Sequence, residues 1–325
     1  MDRPGISVVV PSYNHAEFIR ETLDSILDQQ YPAVDVLVMD GGSSDGTVNI
    51  LREYGDRIRW ISRKDGGQTD ALIKGFADSR GSILTWLNSD DIMCNRSLWL
   101  VAEAWMEGEV DVVYGEGHYM DRGGERTRAY PTVAISPEYS ADQAFFEKGY
   151  VAQPSVYFSK TAYDAVGGLS ACKNLCMDYD LWVRLARSGA VWRRLPADIS
   201  GNRWYEDTKT VSQQLDLLAE IVGTQVDNYG GVSSYFVQSI SDFLYARIHS
   251  CNFGDGDHIF VRSIYFKAVW CALNYRSPKR TLEGLLFRNI AASGPIVADY
   301  ISQERFLEAL EGHLSQVAEH PSTGD

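Results

Sequence analysis

A chain of 325 residues, 45% hydrophobic and 23% charged, has room for one large α/β domain with an appendage or for two small domains. Its formal net charge of −14 excludes non-specific nucleic-acid binding, which draws affinity from neutralising phosphates, and implies that an anionic ligand arrives with a metal. No apolar run approaches the roughly 18 residues of a membrane span, and Met1-Asp2-Arg3-Pro4-Gly5 leads into a strand with no signal peptide; the expectation is a cytoplasmic protein, at most peripheral on the inner face of a membrane.

Ile6-Ser7-Val8-Val9-Val10 is β-branched and bounded by Pro11, which predicts a buried strand. Ser12-Tyr13-Asn14 forms a loop, and Phe18, Ile19, Leu23, Ile26 and Leu27 fall at helical spacing between Ala16 and Gln29. A second strand, Val34 to Met39, ends at Asp40; Gly41 to Thr47 follows, then a helix with Asp45 as its predicted N-cap. Ile58 to Ile61 is a third strand, and Gly66-Gly67 opens a helix carrying Ala71, Leu72 and Phe76. The fourth strand, Leu84-Thr85-Trp86-Leu87, runs through Asn88-Ser89 to Asp90-Asp91. Beyond it the pattern predicts a helix over Leu98–Met106, a strand over Val110–Tyr114, a turn-rich hairpin from Gly115 to Pro131 and a strand over Gln153–Phe158. A short helix ended by Gly167-Gly168 and a helix beginning near Asp178 follow. Strands alternating with helices at these intervals imply βαβ units and a mainly parallel sheet, whose ligands bind beyond the carboxyl ends of the strands. Tyr13, Asp40, Gly66 and Asp91 all fall just past strand ends.

Asp90 and Asp91 are the strongest chemical signal. Two adjacent carboxylates at the end of an apolar strand repel each other, and a divalent cation bound by hard oxygen ligands relieves that repulsion. The bland alternative is a solvated turn before the helix near Arg96. Gly41 and Gly46 have Walker-loop spacing, but Thr47 stands where Lys is required, and no G-x-G-x-x-G follows the first strand. P-loop nucleotidase and Rossmann dehydrogenase readings are therefore set aside, and the glycines are expected to permit a tight turn. Of the five cysteines, Cys172 and Cys176 lack a second Cys or His pair nearby, so reduced thiols are expected rather than a structural zinc site.

Five blocks in order resemble glycosyltransferase family 2. They are Val9-Val10-Pro11-Ser12-Tyr13-Asn14, Met39 through Thr47, Asp65 through Gly75, Ser89-Asp90-Asp91, and Met177-Asp178-Tyr179-Asp180-Leu181-Trp182. The resemblance implies a GT-A, Rossmann-like mixed sheet, mainly parallel with helices on both faces, over residues 1–210, and leaves 211–325 as an α-helical C-terminal region. It implies a nucleotide-sugar donor, most simply a UDP-sugar. Tyr13 would pack on the base and Asp40 accept its N–H, with Pro11, Asn14, Asn88 and Ser89 around the nucleoside. Gly67, Gln68, Asp70 and Lys74 of the third block join this donor pocket. Asp90 would contact ribose or sugar hydroxyls and share with Asp91 the holding of Mn²⁺ or Mg²⁺ against the diphosphate. Asp178 would be the general base of an inverting displacement on an acceptor hydroxyl; its bland role is a helix N-cap. Glu116, Gln153, Trp182, Arg203, Tyr205 and Lys209 are candidate diphosphate or acceptor contacts. Two departures stand out: Met177 replaces a frequent Glu before the base, and Tyr205 stands at the position of a frequent His, with Arg203 or Lys209 as compensating cations.

From Val211 the resemblance fades. Leu215, Leu217, Leu218, Ile221 and Val222, then Tyr235, Phe236, Ile240, Phe243 and Leu244, predict a helical tail. Arg262, Lys267, Arg276, Lys279, Arg280 and Arg288 lie among Phe260, Tyr265, Phe266, Trp270 and Leu285, a pattern for peripheral membrane contact or for a packing and homo-oligomer module. A glycan, lipid-linked or small-molecule acceptor is implied. The rivals are a nucleotidyltransferase, which the Pro11-Ser12-Tyr13-Asn14 loop without Gly or base argues against, and a non-catalytic sugar-nucleotide binder, which the retained Asp90, Asp91 and Asp178 argue against.

Overall fold

In the computed structural model, which describes residues 3–205 and 214–240, β1 (Ile6–Ser12) is buried along its whole length. A β-branched run covered on both faces requires this. It pairs in parallel with β2 (Val34–Asp40) and β4 (Ile83–Trp86), and β2 pairs in parallel with β3 (Arg59–Ser62). Ser12, Asp40 and Ser62 stand side by side, so three strands end level and present their loops to one edge. Helices α1 (Ile19–Leu27), α2 (Thr47–Glu53) and α3 (Gln68–Ala77) make the crossovers. Helix α1 is shorter than the sequence predicts, because the backbone N–H groups of His15 and Ala16 are drawn to Thr47 Oγ1 and Asp45 Oδ2.

The second half of the sheet is mixed. It is built from β5 (Ile92–Met93), β6 (Val112–Met120), β7 (Arg126–Ala129), β8 (Val156–Ser159) and β9 (Trp192–Arg203), with helices α4 (Ser97–Met106), α5 (Ala141–Glu147), α6 (Lys160–Ala165) and α7 (Met177–Arg187). The order is β3-β2-β1-β4-β8-β6-β9-β5, with β7 paired to β6. Most paired residues lie in parallel ladders, because β6 and β9 run parallel from Val112↔Trp192 to Met120↔Arg203. The predicted hairpin after Gly115 is in part the continuation of β6, and its turn is confined to Asp121–Glu125. Gln153–Ser155 is a 3₁₀ turn rather than strand, since Pro154 has no N–H to give a ladder.

Helices cover both faces. Ile6, Val8 and Val10 pack with Ile19, Leu23 and Ile26 of α1 and with Leu98 and Val101 of α4. On the other face α3 approaches so closely that a Cβ on Gly75 would sit 2.5 Å from Val9 Cγ1. Phe76, Trp86, Phe158 and Tyr163 continue that face as an edge-to-face aromatic cluster.

Contacts divide the chain into residues 1–145 with 149–208, and 146–148 with 209–325. In the second unit α8 (Gln214–Tyr229) is followed by helical residues 234–240, and Gln225 links the stretch by donating to Phe146 O and accepting from Ser233 N–H. No helix among the described residues is long and apolar enough to cross a membrane. Lys209, Phe243, Leu244 and the basic, aromatic stretch from His258 to Ile290 lie outside the described residues.

Candidate active site

Asp40 ends β2 and is 2% exposed. Its Oδ2 accepts the N–H groups of Gly42 (3.1 Å) and Ser43 (3.0 Å) and the hydroxyl of Ser62 (2.5 Å), and its Oδ1 accepts the Ser43 hydroxyl. Three donors crowd Oδ2, while Oδ1 takes one and keeps a further lone pair. The acid therefore stands at the strand end that the sequence predicts, but it is turned into its own loop. Asn14, in the left-handed region at φ 53°, ties that loop to the first: its N–H donates to Ser43 Oγ and its Oδ1 accepts Ser44 N–H. Asp45 closes the start of α2 by accepting Thr47 N–H and the Thr47 hydroxyl, a capping contact one residue ahead of Gly46.

Beside this loop is a ring and a second carboxylate. Tyr13 is 62% exposed, and Gly41 lets it approach: a Cβ there would lie 3.3 Å from the Tyr13 ring and 3.2 Å from Asp65 Oδ2. Asp65 also accepts Gly67 N–H at 2.8 Å. An aromatic face flanked by an acceptor-only group suits a planar ring carrying N–H donors. Asp70 accepts Gly66 N–H (2.9 Å) and the Lys74 ammonium (2.5 Å), and the Lys74 hydrogen bond holds its carboxyl below the usual range.

At the end of β4, Asp91 is 4% exposed and Asp90 half-buried. Asp91 Oδ1 accepts Arg203 N–H at 2.8 Å and Oδ2 accepts Asn88 Nδ2 at 3.0 Å. Asn88 in turn accepts from Gln68 Nε2 at 2.8 Å and approaches Gln153 Oε1 at 3.3 Å, while Gln153 Nε2 donates to Trp86 O. Burial, and then the charge of Asp90, push the Asp91 carboxyl well above the usual carboxylate range. A cation removes both penalties, and each Asp91 oxygen keeps lone-pair capacity beyond its one N–H. The acids present thus fit a hard divalent ion such as Mg²⁺ or Mn²⁺.

Three of the candidate contacts have partners within the fold. The Arg203 side chain is 1% exposed: Nε donates to Asp90 O, Nη1 to Arg122 O and Nη2 to Glu21 Oε2, so the guanidinium braces the loop instead of meeting a diphosphate. Trp182 is 2% exposed and stacked on Trp86 at 5.5 Å, a core residue with no face for an acceptor. Glu116 is bound by Arg194. Tyr205 does reach the acid pair: its hydroxyl donates to Asp90 Oδ2 at 3.0 Å, and its ring lies 5.7 Å from Phe18 and under the Arg122 guanidinium. Burial, and then Asp90, raise the Tyr205 hydroxyl well above its ordinary value, so it serves as a donor.

Asp178 occupies the second position of α7, after Cys176 as N-cap, and accepts its neighbour's Tyr179 N–H. It is therefore a first-turn acid and not the cap. The start of α7 docks on the start of α3 through Met177 Sδ, 3.0 Å from Thr69 Oγ1, which donates to Lys173 O. Gln68, next to Thr69, carries the link on to Asn88 and Asp91. Asp180 faces away, bound by Arg184 and Ser170.

Residues 7–165 match the sequence model of glycosyl transferase family 2. The chain carries a family 2 glycosyltransferase domain. An uncharacterized glycosyltransferase of Rickettsia felis is 26% identical over 190 residues, 57% of this chain and 32% of its own length. The uncharacterized glycosyltransferase EpsJ of Bacillus subtilis is 29% identical over 131 residues, 39% of this chain and 38% of its own. The chain spans about a third of the length of these relatives. Among solved structures, S. aureus TarS 1-349 in complex with UDP-GlcNAc aligns with TM-score 0.54 at 16% identity, over 97% of this chain and 92% of that one. A mannosyltransferase from Pyrobaculum calidifontis in complex with GDP-Man and Mn²⁺ aligns with TM-score 0.51 at 16% identity, over 98% and 87%. The family 2 domain has the GT-A fold of these structures.

Two residues of the family 2 domain escape a reading by spacing alone. His15 Nδ1 is 2.6 Å from Ser89 Oγ, joining the first loop to the acid motif across 74 residues of sequence. Asp65 opens the third block, but only the Gly41 turn reveals that its carboxylate shares space with Tyr13.

Proposed function

We propose that this chain is a metal-dependent, inverting glycosyltransferase that takes its sugar from a UDP-sugar and delivers it to an acceptor hydroxyl. The observation that carries this reading is the chain of contacts from Asp91 through Asn88, Gln68 and Thr69 to Met177, the residue before Asp178. The base lies on Tyr13, and Asp65 accepts its ring N–H while Asp40 keeps the glycine loop in shape. Asn88 and Ser89 line the nucleoside, and Asp90, held by Tyr205, meets a sugar hydroxyl.

Asp91, with Asp90 beside it, would hold Mn²⁺ or Mg²⁺. When bound, such an ion neutralises the charge that collects on the departing nucleoside diphosphate. Asp178 takes the proton from the acceptor oxygen as that oxygen attacks the anomeric carbon; the C–O bond to the diphosphate breaks with its electron pair, and one displacement inverts the centre. Asp180 and Glu116, two other carboxylates of the domain, are held by Arg184 and Arg194. The UDP-GlcNAc complex of the TarS neighbour supports the uridine choice, and the GDP-Man complex of the mannosyltransferase supports a metal.

Thermal stabilisation by a panel of UDP- and GDP-sugars, with Mn²⁺ and with a chelator, tests the reading. A UDP-sugar that stabilises only with metal, and whose transferred sugar has the opposite anomeric configuration by NMR, is the expected result. Stabilisation by GDP-sugars alone, or equal stabilisation with the chelator, overturns the donor or the metal assignment.

A further inference from the structure

Three side chains far apart in sequence meet on the second half of the sheet. His118 Nδ1 lies 3.0 Å from both oxygens of Asp198, and Cys94 Sγ lies 3.8 Å from Asp198 Oδ1. One ligand atom from each of the three falls within 4.8 Å of the other two. Tetrahedral zinc, with bonds of about 2.0–2.3 Å, sets its ligand atoms roughly 3.3–3.6 Å apart; the His118–Asp198 and Cys94–Asp198 pairs stand near that separation, and the widest pair closes by about 1 Å on binding.

The strands hold the donors there. Met93 pairs with Ser200 and Ile92 with Gly201 across β5 and β9, Gly201 pairs with His118 across β9 and β6, and Cys94 N–H donates to Ile199 O. A Cβ on Gly201 would sit 3.0 Å from His118 Nε2 and 2.9 Å from Ile92, so a glycine is needed at this seam for the imidazole to fit. His118 is 8% exposed, while the Asp198 side chain keeps 26% of its surface open to an entering ion. Arg126 Nη1 lies 2.7 Å from Asp198 Oδ2, the outer-shell contact that orients a ligating carboxylate and leaves Oδ1 to the ion. Thiolate, imidazole and carboxylate together select zinc over the Mg²⁺ or Mn²⁺ suited to Asp90 and Asp91.

We propose that Cys94, His118 and Asp198 form a zinc site that ties β5, β6 and β9 together, with water in the fourth position. The Cys94 thiol proton leaves to solvent as the ion binds. The site fixes the peptide that runs from Asp91 into β5 and the strand that runs on to Arg203, whose N–H holds Asp91. It stands independently of the sugar-transfer reading.

Cobalt substitution tests the site on the full chain. Co²⁺ added to metal-free protein should give a near-ultraviolet thiolate-to-cobalt charge-transfer band, which oxygen ligation at Asp90 and Asp91 cannot produce. The band should persist in Asp91→Asn and Cys172→Ser and vanish in Cys94→Ser; His118→Gln and Asp198→Asn should weaken Co²⁺ binding at least tenfold. Zn²⁺ should displace the band and raise the wild-type melting temperature but not that of His118→Gln. A wild-type protein that develops no band, or a band that survives Cys94→Ser, overturns the proposal and leaves His118, Asp198 and Arg126 as a hydrogen-bonded cluster.

Discussion

Replacing Asp178 with Asn separates helix chemistry from proton chemistry. A carboxylate in the first turn of α7 interacts with the helix dipole by about 0.3–1 kcal/mol, which Asn forfeits, while its Oδ1 still accepts the Tyr179 N–H. General-base assistance contributes roughly 10²–10⁴-fold in rate. Asp178→Asn should thus melt within a few degrees of wild type, bind donor equally and lose transfer at least about a hundredfold. Transfer near the wild-type rate would sink the assignment. The two acids of the proposed base pocket separate in the same manner. Asp40→Ala leaves buried donors of the glycine loop without their acceptor, at about 1–3 kcal/mol for each group left unsatisfied, so its first effect should be a lower melting temperature. Asp65→Ala should keep the melting temperature and weaken UDP by about 1.5–3 kcal/mol, ten- to a hundredfold. Calorimetric titration of UDP decides; wild-type affinity in Asp65→Ala rules out its role. The sequence locates Asp40 but not its direction, because Ser62, which helps turn it inward, arrives from the next strand.

The parallel half was legible because each of its elements carries one uninterrupted signal: a β-branched run, a strand-end acid, a glycine turn and an amphipathic helix. The mixed half was not. Strand β9 contains Pro196 and Gly201, which read as breakers; the ladder absorbs the proline by slipping from Gly115↔Leu195 to Glu116↔Asp198, and the glycine admits His118. Arg203 looks like a free cation in the sequence because its five partners come from three separate segments. Within the parallel half, β2 and β3 are joined by Asp35, which accepts from Arg59 (3.0 Å), Ser7 (2.9 Å) and Arg80 N–H (3.1 Å). Burial alone would raise its carboxyl, but Arg59, the Arg80 N–H and the Ser7 hydroxyl together hold it below the usual value. A depressed folded-state value means stability present above the unfolded value of about 3.9 and lost as pH falls through the folded one. Asp35→Asn should cost about 1.5–3 kcal/mol at pH 7, and the gap to wild type should narrow as pH falls below about 4. Urea melts at pH 7 and pH 3 measure it, and an equal gap at both would show that the charge contributes nothing.

At the scale of the whole molecule, the proposed function asks a chain of net charge −14 to admit a diphosphate to an edge that already carries Asp40, Asp65, Asp90 and Asp91. Acid on acid is tolerable there only with a cation, and the most costly of the four charges without one is the buried Asp91. Its neutral analogue should therefore act in opposite directions according to what is bound. In a chelator, Asp91→Asn removes a desolvated charge beside Asp90; Asn still accepts Arg203 N–H, and Asn88 Nδ2, which loses Asp91 Oδ2, keeps Gln153 Oε1, so the mutant should melt at or above wild type. With Mn²⁺ and a UDP-sugar each far above its dissociation constant, wild type gains about 2.7 kcal/mol at a hundredfold excess of ligand, or several degrees in melting temperature. Asp91→Asn should lose that gain, and the order of the two proteins should reverse. Differential scanning calorimetry in the two buffers reads the crossing directly. A mutant less stable than wild type in chelator would mean that Asp91 works chiefly as a hydrogen-bonded anchor for β9, and a mutant stabilised by Mn²⁺ and UDP-sugar as much as wild type would move the cation to Asp90.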